Sequence, residues 1–205
     1  MKNILCFGDS NTYGLIPYGG RLDDHTRWTR VLARLLGDGY WIHEEGLSGR
    51  TICQEHPDWP HRNAMEHIEV CLETHEPLDL TILMLGTNDM KGFFHPTVEK
   101  LTKNLGVLAS LIMEKTKAPL LLVSPPHLGE GMAQSPCAFE FPPSSVELSR
   151  NLAPALEGLA SQLGADFLDA ALYASTDPTD CVHLLPEGHN RLAHAFYKKI
   201  KTMNL

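Results

Sequence analysis

The sequence is short of basic residues and has no segment typical of a membrane or secreted protein. Lysine and arginine number 17 against 25 aspartate and glutamate residues, so the formal net charge is −8. Nucleic acids and anionic membranes bind cationic patches, and this charge balance argues against both as partners. No apolar run approaches the roughly 20 residues of a membrane-spanning helix. The N-terminus enters an apolar strand pattern at once, without the basic segment and apolar stretch of a secretory signal.

Cysteines are few and do not form a metal-binding or disulfide pattern. Their number is odd, and they include neither a Cys-x-x-Cys pair nor closely spaced Cys/His ligands. Such a set is typical of reduced thiols and favours a cytoplasmic location. The cysteines are Cys6, Cys53, Cys71, Cys137 and Cys181. Four histidines on a strand, a loop and a helix lack a convergent ligand pattern, so we expect no metal: His43, His56, His61 and His67.

Nothing divides the 205 residues into two domains, because the sequence has no Ser/Gly/Pro-rich linker, internal repeat or low-complexity tract. With 43% hydrophobic residues we expect one domain over residues 1–205. Strand patterns alternate with helical patterns about five times. The strand patterns cover 4–7, 40–45, 78–85, 119–124 and 166–168, and the helical patterns cover 26–37, 63–75, 95–117, 146–163 and 186–203. This alternation predicts a three-layer α/β/α sandwich with a parallel sheet in the flavodoxin-like order 2-1-3-4-5.

Three of the strand patterns end in polar, glycine-containing turns. The first ends in Gly8-Asp9-Ser10-Asn11, the second in Gly-Leu-Ser-Gly-Arg-Thr at 46–51, and the third in Gly-Thr-Asn-Asp at 86–89. Ligands of open parallel sheets bind outside the carboxyl ends of the strands, so these turns are expected at one edge. Ser10 fits two interpretations there: a nucleophile delivered to the edge, or a residue that caps a helix.

A segment near the C-terminus supplies a base for that hydroxyl. Asp180 precedes His183 by three residues, just before the last helical pattern. A serine hydroxyl becomes a nucleophile when an imidazole takes its proton, and a carboxylate on the other ring nitrogen orients that imidazole. The alternative is a helix-capping histidine, which is the interpretation we prefer for His189 and His194.

Together these four blocks resemble the motifs of the GDSL/SGNH hydrolase family, and they occur in the family's order over nearly the whole chain. The stretches 4–14, 44–51 and 84–89 are most similar to the bacterial arylesterase/acyltransferase subgroup. The resemblance implies the SGNH hydrolase fold and serine esterase chemistry that needs no cofactor.

Carried over position by position, the resemblance also implies the role of each site residue. Ser10 is the expected nucleophile, His183 the general base and Asp180 its orienting partner, in preference to Asp177. The oxyanion hole is expected to consist of the Ser10 N–H, the Gly49 N–H and the Asn88 side chain. A backbone N–H and a side-chain amide are suitable donors to a developing oxyanion.

Other side chains near the turns are candidates for substrate contact. Asn11 stands where the family name has leucine, which alters the floor of the pocket. Tyr13, Ile16 and Phe93 follow the catalytic turns and join Asn11 as expected substrate-binding residues, although a packing role fits them as well. The three tryptophans are expected to pack in the protein: Trp28, Trp41 and Trp59.

Two classes of function remain compatible with the residues. The first is a serine esterase that hydrolyses short-chain aryl or alkyl esters through an acyl-Ser10 intermediate, with acyl transfer, carbohydrate deacetylation and acyl-CoA thioester hydrolysis as variants. The second is a non-catalytic α/β module for a small ligand, which is weaker because the first turn lacks phosphate-binding glycine spacing. The subgroup resemblance also implies a homo-oligomer. Phe139 and Phe141, in the irregular segment 127–143, add an apolar cluster that supports it.

Overall fold

A computed structural model describes residues 1–17, 19–203 and 205. Over these residues, five parallel strands form the central sheet: β1 (Lys2–Gly8), β2 (Tyr40–Gly46), β3 (Leu80–Met84), β4 (Leu120–Ser124) and β5 (Asp166–Asp169). They pair in the order β2-β1-β3-β4-β5. The predicted fold class and strand order are therefore confirmed. Leu15–Ile16 and Gly20–Arg21 add a small antiparallel ribbon.

The described residues also form six α-helices: α1 (Ser10–Tyr13), α2 (Trp28–Leu36), α3 (Ala64–His75), α4 (Val98–Thr116), α5 (Pro143–Leu163) and α6 (Pro186–Thr202). In β1, Leu5 and Phe7 face α3, α4 and α5, whereas Ile4 and Cys6 face α2 and α6. Successive strand residues point to opposite faces, so a strand covered on both sides reads as a continuous apolar run. In the described part of the chain, no helix is long and apolar enough to cross a membrane.

The segment 127–143 is more regular than the sequence suggests. It contains a short 3-10 helix over Glu130–Gln134, and α5 begins at Pro143 rather than at 146 because proline fits the first helical turn. Phe141 is buried in the core, whereas Phe139 is 85% exposed. The apolar cluster expected in this segment is thus divided between core and surface.

Two glycines place the first helix across the ends of the strands. Gly8 and Gly46 lie side by side at the carboxyl ends of β1 and β2. A Cβ atom on Gly8 would lie 2.1 Å from Oγ1 of Thr12, and one on Gly46 would lie 2.2 Å from the backbone nitrogen of Tyr13. Only glycine allows so close an approach, so these two positions let α1 rest directly on the edge of the sheet.

Candidate active site

Ser10 is the first residue of α1. Asp9 caps this one-turn helix by accepting a hydrogen bond from the Asn11 N–H at 2.9 Å, and Gly14 ends it in the left-handed conformation. The first amides of a helix have no intrahelical acceptor. Ser10 therefore brings both a hydroxyl and a backbone N–H to the edge of the sheet, with only 5% of its surface exposed.

A continuous hydrogen-bonded path runs from Asp180 through His183 to Ser10. Oδ2 of Asp180 lies 2.7 Å from Nδ1 of His183, and Nε2 of His183 lies 2.9 Å from Oγ of Ser10. With Asp180 ionised, Nδ1–H donates to the carboxylate and Nε2 accepts from the serine hydroxyl. This arrangement places a hydroxyl, an imidazole and a carboxylate in the order that a nucleophile, its base and an orienting group require.

The environment of Asp180 keeps its carboxyl group ionised. Burial raises its pKa, but the side-chain hydrogen bond from His183 and backbone N–H bonds from His183 and Val182 outweigh burial, so the pKa lies below its usual value. The backbone N–H of Asp177 donates to the carbonyl of His183 at 2.7 Å, but its carboxylate accepts the N–H of Thr179, at 2.7 Å from Oδ1. The geometry therefore favours Asp180 over Asp177 as the partner of His183.

Asn11 joins α1 to the loop that carries His183. Its side chain is 2% exposed; Nδ2 donates to the carbonyl of Val182 at 3.2 Å, and Oδ1 accepts the N–H of Leu184 at 2.9 Å. Both the nitrogen and the oxygen of the side-chain amide therefore form hydrogen bonds within the protein. One hydrogen of Nδ2 is not used in these bonds, so the expected substrate contact of Asn11 stays a prediction.

The two other expected oxyanion donors lie in the turns after β2 and β3. Gly49 has a φ of +80°, and Asn88 begins a short 3-10 helix over Asn88–Met90. Nδ2 of Asn88 donates to the carbonyl of Arg50 at 3.1 Å, which joins the two turns. One amide hydrogen of Asn88 is used in this bond, and the other remains for a ligand. Their role as oxyanion donors stays a prediction.

A buried arginine fixes the Gly49 turn against the first strand. Arg50 is 4% exposed, and its guanidinium donates to the carbonyl of Gly8 at 2.9 Å and to that of Glu45. The same group lies over the ring of Phe7, with Cζ 4.0 Å from the ring centroid. Arg50 thereby anchors its turn next to the strand that delivers Ser10.

Two carboxyl groups are buried behind the turns. Asp9 and Asp89 are 1% and 3% exposed, and both oxygens of Asp89 accept the N–H of Ile52, at 3.0 and 3.1 Å. Burial, together with the nearby charge of Asp9, raises the pKa of Asp89 to about 7. Asp89 supports the loop that begins at Ile52, and its protonation state changes near neutral pH.

The remaining histidines fall outside the Asp180–His183–Ser10 path. His189 is wholly buried in α6, and its Nδ1 accepts the first N–H of α2, from Trp28, at 3.3 Å. Burial lowers its pKa to about 4, so the ring is neutral. It therefore caps a neighbouring helix rather than its own. Within the parts of the chain that the structure describes, no group of three or more His, Cys, Asp or Glu residues is arranged to hold a metal ion.

Comparison with known proteins identifies the family of this arrangement. A model of the GDSL-like lipase/acylhydrolase family matches residues 6–191. The chain belongs to this family. The resemblance inferred from the four sequence blocks is thus confirmed, and so, at the level of the family, is the prediction of an enzyme that hydrolyses carboxylic esters.

Solved structures of GDSL-type esterases are similar over nearly the whole chain. The aryl esterase of M. smegmatis is 34% identical, with a TM-score of 0.91, and the match covers 98% of this chain and 99% of that one. Est24, a carbohydrate acetylesterase from Sinorhizobium meliloti, is 33% identical with a TM-score of 0.92, covering 99% and 100%. An acetylxylan esterase of Xylanibacter ruminicola is 33% identical over 88 residues, which are 43% of this chain but 17% of that protein.

The expected substrate-binding side chains differ in their exposure. Ile16 and Phe93 are 36% and 42% exposed, whereas Tyr13 is half-buried under the guanidinium of Arg21, whose Cζ is 4.5 Å from the ring centroid. Exposed apolar side chains near the catalytic turns are available to a ligand, so Ile16 and Phe93 keep this role as a prediction. Tyr13 has its ring already covered on one side.

Two of the three tryptophans do not pack as expected. Trp28 is wholly buried, but Trp41 and Trp59 are 57% and 47% exposed, so the prediction was wrong for both. Trp59 lies against Gly49, at the site itself. Its sequence context indicates this exposure: Pro57 and Pro60 flank it in a polar segment, where no periodic apolar partners could bury an indole ring.

Proposed function

We propose that this protein is a serine esterase that hydrolyses short-chain acyl esters of small alcohols and phenols through an acyl-Ser10 intermediate. The observation that carries the proposal is the path of 2.7 and 2.9 Å hydrogen bonds from Asp180 through His183 to Ser10. Family membership supports the same reaction class. In this proposal Ser10 is the nucleophile, His183 the general base and Asp180 the residue that orients it.

The reaction follows from the positions of these groups. As Oγ of Ser10 attacks the ester carbonyl carbon, Nε2 of His183 accepts the hydroxyl proton. The tetrahedral intermediate collapses when the imidazolium returns that proton to the leaving alcohol oxygen, which leaves the acyl group on Ser10. A water molecule then gives a proton to His183 and attacks the acyl carbon. The imidazolium returns that proton to Oγ of Ser10 as the ester bond breaks and the acid is released. Asp180 stays ionised throughout and stabilises the imidazolium.

Three donors are available to the negative charge that forms on the carbonyl oxygen. We assign this role to the N–H groups of Ser10 and Gly49 and to the second amide hydrogen of Asn88. Preorganised donors stabilise an oxyanion strongly because they need no reorientation during the reaction. The bond from Asn88 to the Arg50 carbonyl holds the amide in place beforehand.

A short acyl group suits the loops around the site. The segments 15–24 and 51–62 are mostly polar, charged or proline-containing, so they offer no continuous apolar wall for a fatty chain. Each buried methylene contributes about 0.8 kcal/mol only where apolar atoms contact it. We expect kcat/KM for p-nitrophenyl esters to be highest from acetyl to butyryl and to fall towards sixteen carbons. An optimum at eight carbons or beyond would contradict this.

Deacetylation of carbohydrates is a second candidate, favoured by the similarity to the carbohydrate acetylesterase and the acetylxylan esterase. It uses the same acyl-Ser10 intermediate with a sugar as the leaving alcohol. Hydrolysis of acyl-CoA thioesters and transfer of the acyl group to an alcohol instead of water are further variants of that intermediate. A panel of p-nitrophenyl acetate, acetylated sugars and acetyl-CoA, assayed with and without added alcohol, separates these reactions.

The proposal also covers the state of the protein in the cell. We propose a single domain over residues 1–205 that acts as a homo-oligomer in the cytoplasm on small-molecule esters. Phe139, 85% exposed, supports an oligomer interface, and free thiols at all five cysteines suit a reducing compartment. Light scattering that returns the 22.8 kDa of one chain at micromolar concentration would refute the oligomer.

A further inference from the structure

We propose that Trp59, together with His56 and Phe93, forms a binding surface for a flat ring carried by the ester substrate. We name these three residues the aromatic shelf. The inference rests on the esterase function proposed above and adds the chemical group that the site selects. It concerns specificity, because none of the three side chains belongs to the path from Asp180 to Ser10.

The shelf is a packed group with two exposed members. His56 lies in the middle and is 7% exposed; the ring of Trp59 stacks on it with centroids 5.3 Å apart and planes inclined at 27°. Phe93 meets the same imidazole edge-on, at 5.4 Å and 88°. Trp59 and Phe93 remain 47% and 42% exposed. Trp59 and Phe93 thus contact one imidazole, at its face and at its edge, and each keeps part of its ring at the surface, where exposed apolar groups commonly mark a ligand site.

The shelf adjoins both of the proposed oxyanion donors that lie outside α1. A Cβ atom on Gly49 would lie 2.6 Å from Cε3 of Trp59, so the indole is in van der Waals contact with that turn. On the other side, the Lys91 N–H donates to the carbonyl of Asn88 at 3.3 Å, and Phe93 follows two residues later. Because Trp59 contacts the turn that carries Gly49, we expect a ring on the shelf to lie next to the carbonyl under attack.

Buried polar groups hold the shelf in position. Nζ of Lys91, on a side chain only 3% exposed, donates to Oε1 of Glu140 at 2.8 Å and lies 5.5 Å from the Trp59 ring centroid. Nδ1 of His56 accepts the N–H of Asp58 at 3.2 Å, and its Nε2 lies 3.3 Å from Oε1 of Glu140. Nε2 of His56 also lies 3.2 Å from Nζ of Lys91, so Lys91, His56 and Glu140 form one group of polar contacts.

A buried ion pair is weak as a source of stability, because removing both charges from water offsets much of their attraction. Its effect here is geometric. Lys91 and Glu140 tie the loop after β3 to the segment before α5, and the Gly92 N–H adds a bond to the Glu140 carbonyl at 2.8 Å. Loops fixed in this way present a surface that needs little reordering when a ligand binds.

The geometry and charge of the shelf indicate its ligand. The faces and edges of aromatic rings pair favourably with another flat ring, whereas a long alkyl chain needs a groove. Lys91 and Arg62 place cationic groups 5.5 and 5.6 Å from the Trp59 ring centroid, which disfavours a cationic ligand. The shelf therefore suits a neutral ring, such as the phenyl group of an aromatic ester.

Trp59→Leu tests the shelf with matched esters that differ in a ring. If the ring belongs to the alcohol, we expect kcat/KM to fall about fivefold more for benzyl acetate than for butyl acetate. If the ring belongs to the acyl group, we expect the same difference between methyl benzoate and methyl butyrate. Comparing each ester with the wild type cancels intrinsic reactivity. Either selective loss supports the shelf; equal losses within both pairs, or none, overturn it.

The matched control is Trp41→Leu. Trp41 is the other exposed tryptophan, and it lies on β2, an edge strand of the sheet. Its side chain is 57% exposed and pairs with His43 at 6.4 Å, away from the shelf residues. We expect this variant to keep the wild-type ratio for both ester pairs. A selective loss of the ring-bearing esters in Trp41→Leu as well would show that the effect is not specific to the shelf, and would overturn it.

A binding measurement separates this inference from the esterase function. Phenol binding, followed by ligand-observed NMR, needs no turnover, and we expect Trp59→Leu to weaken it about fivefold relative to the wild type and to Trp41→Leu. Phenol binding that depends on Trp59 in a protein that cleaves no ester would support the shelf and refute the esterase. Ester hydrolysis with phenol binding indifferent to Trp59 would refute the shelf alone.

Discussion

The two sides of the site are built in different ways. On one side, Asp180 and His183 lie three residues apart, and Oδ1 of Asp180 accepts the N–H groups of Val182 and His183, so one short loop contains most of its own support. The other side, which carries Gly49 and the aromatic shelf, combines loops after β2 and β3 with the segment before α5. Local motifs fix the first side, and long-range contacts assemble the second.

This difference separates chemistry from specificity. The side with Asp180 and His183 acts on Ser10 through hydrogen bonds of 2.7 and 2.9 Å, which leave little room for variation. The shelf side carries the proposed oxyanion donors Gly49 and Asn88 and, beside them, exposed aromatic rings. Changes on the first side should therefore abolish turnover, whereas changes on the second should reduce or redirect it.

The largest effect is expected from the groups that move the proton. Ser10→Ala and His183→Ala should each lower kcat for p-nitrophenyl acetate by about 10⁴ to 10⁶, and the double variant should be scarcely worse, because a nucleophile and its base act as one unit. Steady-state kinetics of the three proteins measure this. Losses that multiply in the double variant would show that the two residues act independently.

A smaller loss is expected from the orienting carboxylate. Asp180→Asn should lower kcat by about 10⁴, because the amide no longer selects the imidazole tautomer that accepts the serine proton. Asp177→Asn is the matched control, since Asp177 lies in the same loop and its Oδ1 accepts only the local N–H of Thr179. A large loss in the control alone would assign the role to Asp177.

The shelf side should give intermediate effects on catalysis. Asn88→Ala should lower kcat by about 10² to 10³ with little change in KM, since one preorganised oxyanion donor is removed. Ester kinetics at saturating and limiting substrate separate the two parameters. A rise in KM with an unchanged kcat would instead make Asn88 a substrate-binding residue and weaken the distinction between the two sides.

The smallest effect concerns the pH dependence of stability on the shelf side. The pKa of Asp89, raised by burial to about 7 in the folded protein, lies above the value of about 3.9 expected when unfolded. The folded state then binds the proton more tightly, so the free energy of unfolding falls as pH rises from about 4 to 7. Asp89→Asn should lessen that fall, to which the raised pKa contributes about 1.4 kcal/mol for each pKa unit of difference.

Urea denaturation of the wild type and Asp89→Asn at several pH values between 4 and 7 measures this difference. The contributions of titrating groups that do not interact with Asp89, such as Asp180, are common to both proteins and cancel. Asp9 is coupled to Asp89, so a change in its titration is part of the measured difference. Stability curves that run parallel across this window would show that Asp89 does not carry the raised pKa.

The fold could be predicted from the sequence because its signals are local, and a local spacing also led to the prediction of Asp180 and His183 as partners of Ser10. Apolar runs that end in polar turns marked the strands, and the spacing of Asp180 and His183 singled out one loop. The direction of the Asn11 side chain could not be predicted from the sequence, because the carbonyl of Val182 that it binds lies 171 positions away in the chain. Nothing near Asn11 in the sequence indicates that partner.

The shelf was missed for the same reason. Lys91 and Glu140 are separated by 49 positions, and Trp59 meets Gly49 only because both loops fold over one edge. A tryptophan between two prolines indicates exposure but not what lies beside it. Sequence patterns thus predicted the chemistry of the site better than the surface that surrounds it.

The central claim, an acyl-enzyme at Ser10, is tested most directly by covalent labelling. A serine-directed phosphonate with a small alkyl group should add once per chain, and peptide mass spectrometry should place the adduct on Ser10 in the wild type. Ser10→Ala should remain unlabelled. His183→Ala should react far more slowly, because the Ser10 hydroxyl then lacks its base. An adduct on any other residue, or undiminished labelling of Ser10→Ala, would contradict the account.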